Sequence, residues 1–170
     1  MALLKKICML GGFSVGKTSL VGRYVKSTFS EKYQTTVGVK IDKKTVQVDD
    51  EEITLMLWDI QGEDGVQMMR TAYLRGATGY IIVVDGTRAP TLGVAEIVQQ
   101  KAQELLGPVP FIVLLNKADM VEEWQLEAEA VRQLAQKGWI LFKSSAKTGL
   151  NVEEAFETLA RRILEVAQDA

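Results

Sequence analysis

Histidine is absent from this chain of 170 residues, and cysteine occurs only once, as Cys8. Without histidine, imidazole cannot serve as a general acid or base or as a metal ligand. Cys8 lies inside the apolar run Ile7–Leu10. We therefore predict that its thiol is a buried, small hydrophobic group in a protein of a reducing compartment.

The chain also lacks long apolar runs and an excess of positive charge. No stretch approaches the ~20 apolar residues of a membrane span. The net charge is −2, whereas a general binder of nucleic acids or anionic membranes needs a basic excess. The first residues lack a signal peptide and a myristoylation site, and the last five contain no cysteine for prenylation. We expect a cytoplasmic protein with no nucleic-acid partner, and no direct lipid anchor is seen in the given sequence.

What the chain does contain is an alternation of apolar strand segments and amphipathic helices. Its length and its 47% apolar content suit one domain over residues 1–170. Bounded apolar or alternating runs predict six strands, namely Leu4–Leu10, Val39–Val48, Ile53–Trp58, Tyr80–Asp85, Phe111–Asn116 and Ile140–Phe142. The second and third form a hairpin, which gives one antiparallel edge. The alternation predicts an α/β fold with a mostly parallel sheet, helices on both faces and ligands at the carboxyl ends of the strands.

Three helices have recognisable limits in the sequence. Pro90 suits the first turn of a helix that continues through Leu105, and residues 124–136 form another. Asn151 is predicted to cap the last helix, with Glu154 as its partner in a capping box. The apolar positions of this last helix fall on one face, and they are Val152, Phe156, Leu159, Ile163 and Val166.

A glycine-rich segment follows the first predicted strand and precedes a predicted helix. Residues 11–18 read Gly-Gly-Phe-Ser-Val-Gly-Lys-Thr, which matches the phosphate-binding pattern G-x-x-x-x-G-K-[ST] in its proper context. Backbone N–H groups of such a loop point at phosphate oxygens, and the helix N-terminus adds positive partial charge. Lys17 is expected to reach the β- and γ-phosphates, and the Thr18 hydroxyl to bind Mg²⁺.

A second pattern predicts which base is recognised. Asn116-Lys117-Ala118-Asp119 ends a strand at the same sheet edge, where Asp119 can accept two hydrogen bonds from guanine and none of that kind from adenine. The Lys117 stem can cover the base face, and Asn116 is expected to tie this pocket to the phosphate loop. After the next strand comes Ser145-Ala146-Lys147, in which the Ala146 N–H can donate to guanine O6. Taken alone, the first pattern could equally be a strand-end turn; in order with the other motifs it predicts guanine specificity.

These motifs resemble those of the Ras superfamily of small GTPases, and most closely its Rab branch. The likeness covers Lys5 to Leu164. It extends to further segments, Thr36–Val39, Trp58–Gly62, Tyr73–Ala77 and Ser145–Phe156. The resemblance implies a six-stranded G domain that binds GTP or GDP with Mg²⁺ and changes conformation between the two states.

The resemblance also implies roles for individual residues. Phe29 would stack on guanine and Tyr33 would close over the phosphates. Mg²⁺ would be held by Thr36 and Asp59 together with Thr18. The backbone N–H of Gly62 would donate a hydrogen bond to the γ-phosphate. Nucleotide contacts along the phosphate loop are expected from Phe13, Ser14, Val15, Gly16, Lys17, Thr18 and Ser19. By the same resemblance, residues 28–40 and 60–77 are the switch segments. Effectors, an exchange factor and an activating protein would bind the protein there, and we expect it to be a monomer. Such partners could bring it to a membrane.

Two positions depart from the pattern of the family at the reaction centre. Family members place a water-orienting glutamine directly after the glycine, but here Glu63 follows Gly62, and Gln61 comes two positions early. Phe13 occupies a loop position that is usually small, where an arginine finger would approach. With Lys17, Thr36, Gly62 and Glu63 as the catalytic set, we expect a switch that hydrolyses GTP slowly. The alternatives are a GTP-binding interaction module with negligible turnover and, less favoured, a P-loop kinase.

Overall fold

The structure is a computed structural model that describes residues 3–12, 14–25, 33–34, 39–60 and 71–169. Its strands are β1 (Leu3–Gly11), β2 (Tyr33–Gln34), β3 (Val39–Val48), β4 (Glu51–Ile60), β5 (Gly79–Asp85), β6 (Phe111–Asn116) and β7 (Leu141–Lys143). Its helices are α1 (Lys17–Val25), α2 (Thr71–Leu74), α3 (Pro90–Leu106), α4 (Ala128–Gln136) and α5 (Val152–Asp169), with a 3₁₀ turn at Val121–Glu123.

All strands belong to one sheet in the order β2-β3-β4-β1-β5-β6-β7. Strands β4, β1, β5, β6 and β7 run parallel to one another, whereas β3 pairs antiparallel with β4. The two-residue strand β2 adds a second antiparallel pairing, outside β3. The six predicted strands are therefore present, and the α/β fold with an antiparallel edge is confirmed.

Each face of the sheet packs against its own set of helices, because successive side chains of a strand point to opposite faces. On one face, Ile7 and Met9 of β1 join a cluster with α1 and α5, in which Tyr24 and Phe156 stack with ring centroids 4.0 Å apart. On the other face, Cys8 and Leu10 join a cluster with α3 and α4. The sheet is thus covered on both sides, as the apolar runs predict.

The lone cysteine is buried as expected. Cys8 is a free thiol with no exposed surface. Burial raises the pKa of this thiol to about 12, against a small opposing effect of Lys6. The thiol therefore stays protonated and unreactive at neutral pH.

None of the helices in the described part of the chain is long and apolar enough to span a bilayer.

One helix begins later than the sequence predicts. Residues 124–136 were expected to be helical, but α4 begins at Ala128 and Trp124 is extended, with ψ at 126°. The Gln125 N–H donates to the Gly86 carbonyl at 2.8 Å, and the Trp124 ring lies so close to Gly86 that a Cβ there would come within 1.9 Å of it. This tertiary packing holds residues 124 and 125 against the loop after β5 and outranks their local helical pattern.

The last helix differs from expectation at both of its ends. Asn151 does not cap α5, because its φ is 56° and its amide donates to the Lys143 carbonyl at 2.8 Å. An N-cap residue would instead be extended and accept a bond from the helix. The predicted apolar face is buried from Val152 to Ile163, but Val166 is half exposed.

Candidate functional site

Four strands bring polar groups to one edge of the sheet. Parallel pairing sets Met9 opposite Asp59 and Asp85 opposite Asn116, so the carboxyl ends of β4, β1, β5 and β6 lie side by side. Asp59, Asp85 and Asn116 are all buried there. This edge is where ligands bind in open α/β sheets.

The loop between β1 and α1 has the backbone that the glycine-rich pattern needs. Ser14 and Gly16 have φ values of 57° and 105°, in the left-handed region. At Gly16 a Cβ would also lie 2.3 Å from the Asn116 amide nitrogen, so glycine is required for space as well as for conformation. The Leu20 N–H donates to the Gly16 carbonyl at 2.9 Å, which starts α1 directly behind the loop. The helix N-terminus therefore points its positive end at the loop.

Lys17 folds back into the loop from the first turn of α1. It is 8% exposed, and its ammonium donates to the Gly11 and Gly12 carbonyls at 3.2 and 3.0 Å. Burial lowers the pKa of Lys17, and the Asp59 carboxylate offsets part of that effect. The loop thus holds a positive charge at its centre, where it can meet an anion.

Thr18 and Asp59 lie next to each other beside Lys17. The Thr18 hydroxyl donates to Asp59 Oδ2 at 2.5 Å, although 41 residues separate the two in sequence. Asp59 is 1% exposed, and its Oδ1 atom has no hydrogen-bond partner among the described residues. A buried carboxylate oxygen without a partner, beside a hydroxyl, fits a hard divalent cation such as Mg²⁺.

A cavity of about 550 Å³ adjoins the phosphate loop and reaches the ends of β6 and β7. Its lining comes from three parts of the chain: Gly16, Ser19, Gly22, Arg23, Asn116, Lys117, Asp119, Met120, Ala146 and Lys147. The sequence analysis singled out most of these residues but missed Gly22, Arg23 and Met120. Their only signals were their places one turn into α1 and directly after Asp119.

Asp119 is held at the rim of this cavity by the loop after β7. Its Oδ1 atom accepts from the Ser145 hydroxyl at 2.7 Å, and that hydroxyl oxygen accepts from the Thr148 N–H at 3.0 Å. Ser145 is fully buried while Asp119 is exposed. The bond orients the carboxylate without removing it from the cavity.

Asn116 connects the cavity to the phosphate loop. Its amide donates to the Val15 carbonyl at 3.0 Å, and its Oδ1 atom accepts from the Ser144 hydroxyl at 3.3 Å. Val15 and Ser144 are themselves buried. Three segments far apart in sequence are thereby locked in one arrangement.

Lys117 crosses from the end of β6 toward two acceptors. With φ at 69°, its backbone turns the side chain so that the ammonium donates to the Ser14 carbonyl at 3.3 Å and to Asp85 Oδ2 at 2.8 Å. Asp85 was not among the residues predicted for the site. The sequence did offer one signal, because Asp85 is an ionisable residue at the end of an apolar strand. Asn116 ends its own strand in the same way.

The predicted site residues divide into two groups. The structure brings together one group around the cavity and the loop: Ser14, Val15, Gly16, Lys17, Thr18, Ser19, Asp59, Asn116, Lys117, Asp119, Ser145, Ala146 and Lys147. The other group lies outside the described residues and contains Phe13, Phe29, Thr36, Gly62 and Glu63. Tyr33 is described only through its backbone, which pairs with Ile41.

This architecture is that of the P-loop nucleotide-binding domains. In that class a mostly parallel sheet presents a glycine-rich loop, the lysine of the loop and a strand-end carboxylate at one edge. Within that class the chain belongs to the Ras family, whose family model matches residues 6–165. It is similar to the Ras-related protein Rab5A of Oryza sativa subsp. japonica, with 36% identity over 96% of this chain and 81% of the relative.

Two further relatives are similar over the same extent. The Ypt/Rab-type GTPase ypt7 of Schizosaccharomyces pombe is 36% identical over 95% of this chain and 83% of its own. The Ras-related protein Rab-13 of Rattus norvegicus is 34% identical over 95% of this chain and 80% of its own. The chain is therefore a small GTPase of the Rab branch, and the resemblance noted in its motifs is confirmed.

Proposed function

We propose that this chain binds GTP or GDP together with Mg²⁺ along the carboxyl edge of its sheet, acts as a molecular switch and hydrolyses GTP slowly. The main support for this binding site is that one cavity is lined from both sides. Gly16 and Ser19 line it on the phosphate side, and Asp119 and Ala146 line it on the base side. A nucleotide can span these two sides because its base and phosphates lie at opposite ends of one molecule.

Base recognition rests on Asp119 and the loop after β7. The Asp119 carboxylate accepts from N1–H and the exocyclic amine of guanine, and Ser145 keeps it oriented at 2.7 Å. Adenine presents no such pair of donors and would leave the carboxylate unpaired. The Ala146 N–H donates to guanine O6, and the stem of Lys117 covers one face of the base. Phe29 stacks on the ring.

Phosphate binding rests on the loop and its lysine. The buried Lys17 ammonium exchanges its two carbonyl partners, Gly11 and Gly12, for β- and γ-phosphate oxygens, or shares them. Thr18, Thr36 and Asp59 would hold Mg²⁺, with Asp59 acting through water. When bound, this ion supplies neutralisation of the charge on the phosphates. Tyr33 closes over the phosphates, and the Gly62 N–H donates to the γ-phosphate.

Slow hydrolysis rests on Glu63, in the position of the water-orienting residue. An ionised carboxylate can accept a hydrogen bond from the attacking water but cannot donate one to a phosphate oxygen. Two unit charges ~4 Å apart repel by about 4 kcal/mol at an effective dielectric constant of ~20. That corresponds to roughly a thousandfold in rate as an upper bound, which solvent and Mg²⁺ reduce. Phe13 further crowds the approach of an arginine finger.

The rate proposal is tested by Glu63→Gln in single-turnover hydrolysis. The variant restores a neutral donor, so we expect faster hydrolysis, by about tenfold within the thousandfold bound above. The matched control is Glu52→Gln, which removes the same charge from an exposed position near the start of β4. A Glu63→Gln rate equal to or below that of the unmodified protein would refute the role of Glu63.

The same experiment separates the proposal from its alternative, a GTP-binding interaction module. That alternative is favoured by the same two positions, Phe13 and Glu63. GTP that remains intact over hours in the unmodified protein supports the module, whereas slow release of phosphate supports the switch. Nucleotide affinity is the same under both alternatives.

The switch proposal includes two segments, residues 28–40 and 60–77. The γ-phosphate holds both segments through Thr36 and Gly62, and they relax when it leaves. Effectors, an exchange factor and an activating protein bind there, to a monomer whose 170 residues form one domain. Such partners recruit the protein from the cytoplasm to membranes.

A further inference from the structure

We infer that Asp85 is a positioning residue for nucleotide retention. Its carboxylate holds the Lys117 ammonium in place, and the Lys117 side chain in turn connects the base pocket to the phosphate loop. This inference rests on the proposed nucleotide site. It assigns a role to a residue that lines neither the cavity nor the loop. The ion pair between Asp85 and Lys117 links residues 32 positions apart.

The Asp85 carboxylate is a rigid anchor. It is 1% exposed at the end of β5, and both of its oxygens are occupied. Oδ1 accepts from the Thr87 N–H at 2.8 Å and from the Thr87 hydroxyl at 2.6 Å. Oδ2 accepts from Lys117 at 2.8 Å and from Arg88 Nε at 2.9 Å. With four donors around it, the group cannot rotate without breaking several bonds.

The charge of Asp85 is preserved in this setting. Burial alone would raise the pKa of its carboxyl, but hydrogen bonds from Lys117, Thr87 and Arg88 outweigh that effect and lower the pKa well below its usual range. The group is therefore ionised throughout the physiological range, and its attraction for the ammonium is constant.

Lys117 transmits this anchoring to the nucleotide. Its ammonium also donates to the Ser14 carbonyl at 3.3 Å, so the side chain runs from the base pocket to the phosphate loop. A lysine stem otherwise has several rotatable bonds, and holding it in one rotamer costs entropy. Because the buried carboxylate fixes the far end in advance, the stem is already in place when a base arrives.

The test is the rate of GDP release, followed with a fluorescent GDP derivative. We expect Asp85→Asn to release GDP about tenfold faster, because the amide oxygen left in place of the carboxylate accepts a weaker hydrogen bond from the ammonium, while the association rate stays close to that of the unmodified protein. The decisive readout is the same substitution in a Lys117→Met background. There Asp85→Asn should add little, because the ammonium that it positions is gone.

Two further variants complete the design. Arg132→Gln is the control, since it removes an exposed cation that pairs with Glu129 in α4 and not with Asp85, and it should leave GDP release within about twofold. Thr87→Val removes the 2.6 Å bond that steadies Asp85 while keeping the charge, and it should speed release about threefold. If thermal unfolding shows that Asp85→Asn does not fold, Thr87→Val becomes the variant that tests whether the anchoring of Asp85 slows GDP release.

Each outcome has one meaning. Unchanged release in folded Asp85→Asn, or in Thr87→Val where the former is unfolded, overturns the inference. Equal acceleration by Asp85→Asn with and without Lys117 also overturns it, because Asp85 would then act only on the fold. An unmodified protein that binds no GDP instead refutes the proposed nucleotide site, which is a different result.

Discussion

The base side and the phosphate side of the cavity are built differently, although both lie at one sheet edge. On the base side, Asp119, Ser145 and Asn116 have hydrogen-bond partners within the protein. On the phosphate side, the Lys17 ammonium rests on carbonyls of its own loop, and Asp59 Oδ1 has no partner in the described part of the chain.

The difference teaches how the two sides meet a ligand. A pocket whose polar groups are already oriented discriminates between bases by fixed geometry, at little reorganisation cost. A site with a buried cation and an unpartnered carboxylate oxygen instead keeps polar groups that an ion and an anion can satisfy. The base side should therefore govern which nucleotide binds, and the phosphate side how tightly any of them binds.

The largest expected effect breaks specificity on the base side. Asp119→Asn replaces an acceptor by a donor, so GDP affinity should fall by about 10³-fold, as two lost charge-assisted bonds predict. Affinity for xanthosine diphosphate should rise, since its carbonyl accepts where the guanine amine donated. Calorimetry with GDP, ADP and xanthosine diphosphate measures both effects. Similar affinities of the unmodified protein for ADP and GDP would contradict the guanine assignment.

A smaller but base-independent effect is expected on the phosphate side. Lys17→Ala removes a buried charge at the phosphates and should weaken GDP and xanthosine diphosphate alike, by about 100-fold. Lys43→Ala is the control, because it removes a lysine from an exposed position of β3. Chelation of Mg²⁺ by EDTA should speed GDP release. A Lys17→Ala effect confined to one base, or release indifferent to EDTA, would count against this division of roles.

The smallest effect concerns the orientation of Asp119. Ser145→Ala removes the 2.7 Å bond to this carboxylate from a fully buried position and should lower GDP affinity about five- to tenfold. Ser144→Ala is a matched comparison, because that buried hydroxyl bonds to Asn116 at 3.3 Å instead. We expect a smaller loss there, measured by the same calorimetry. Equal losses would mean that the pocket responds to buried hydroxyls in general and not to the orientation of Asp119.

Much of the fold and of the site could be predicted from local patterns. The strand Phe111–Asn116 has the limits that its apolar run predicts, and Pro90 opens α3 as its fixed φ favours. The prediction of a helix over residues 124–136 was wrong at its start, because Trp124 packs on Gly86. Asn151 was wrong as a cap, because its amide is drawn to the Lys143 carbonyl. Both errors arise from partners outside the local segment.

The sequence by itself determined the two motifs and their order along the chain, Gly11–Thr18 before Asn116–Asp119. Glycine spacing, a lysine and a strand-end carboxylate carry their chemistry within a few residues, so no fold is needed to recognise them. Only the tertiary structure decided that Asp85 meets Lys117, that the Thr18 hydroxyl bonds directly to Asp59 and that Ser145 holds Asp119. These pairs are 26 to 41 residues apart, and only the parallel order of the strands brings their ends together.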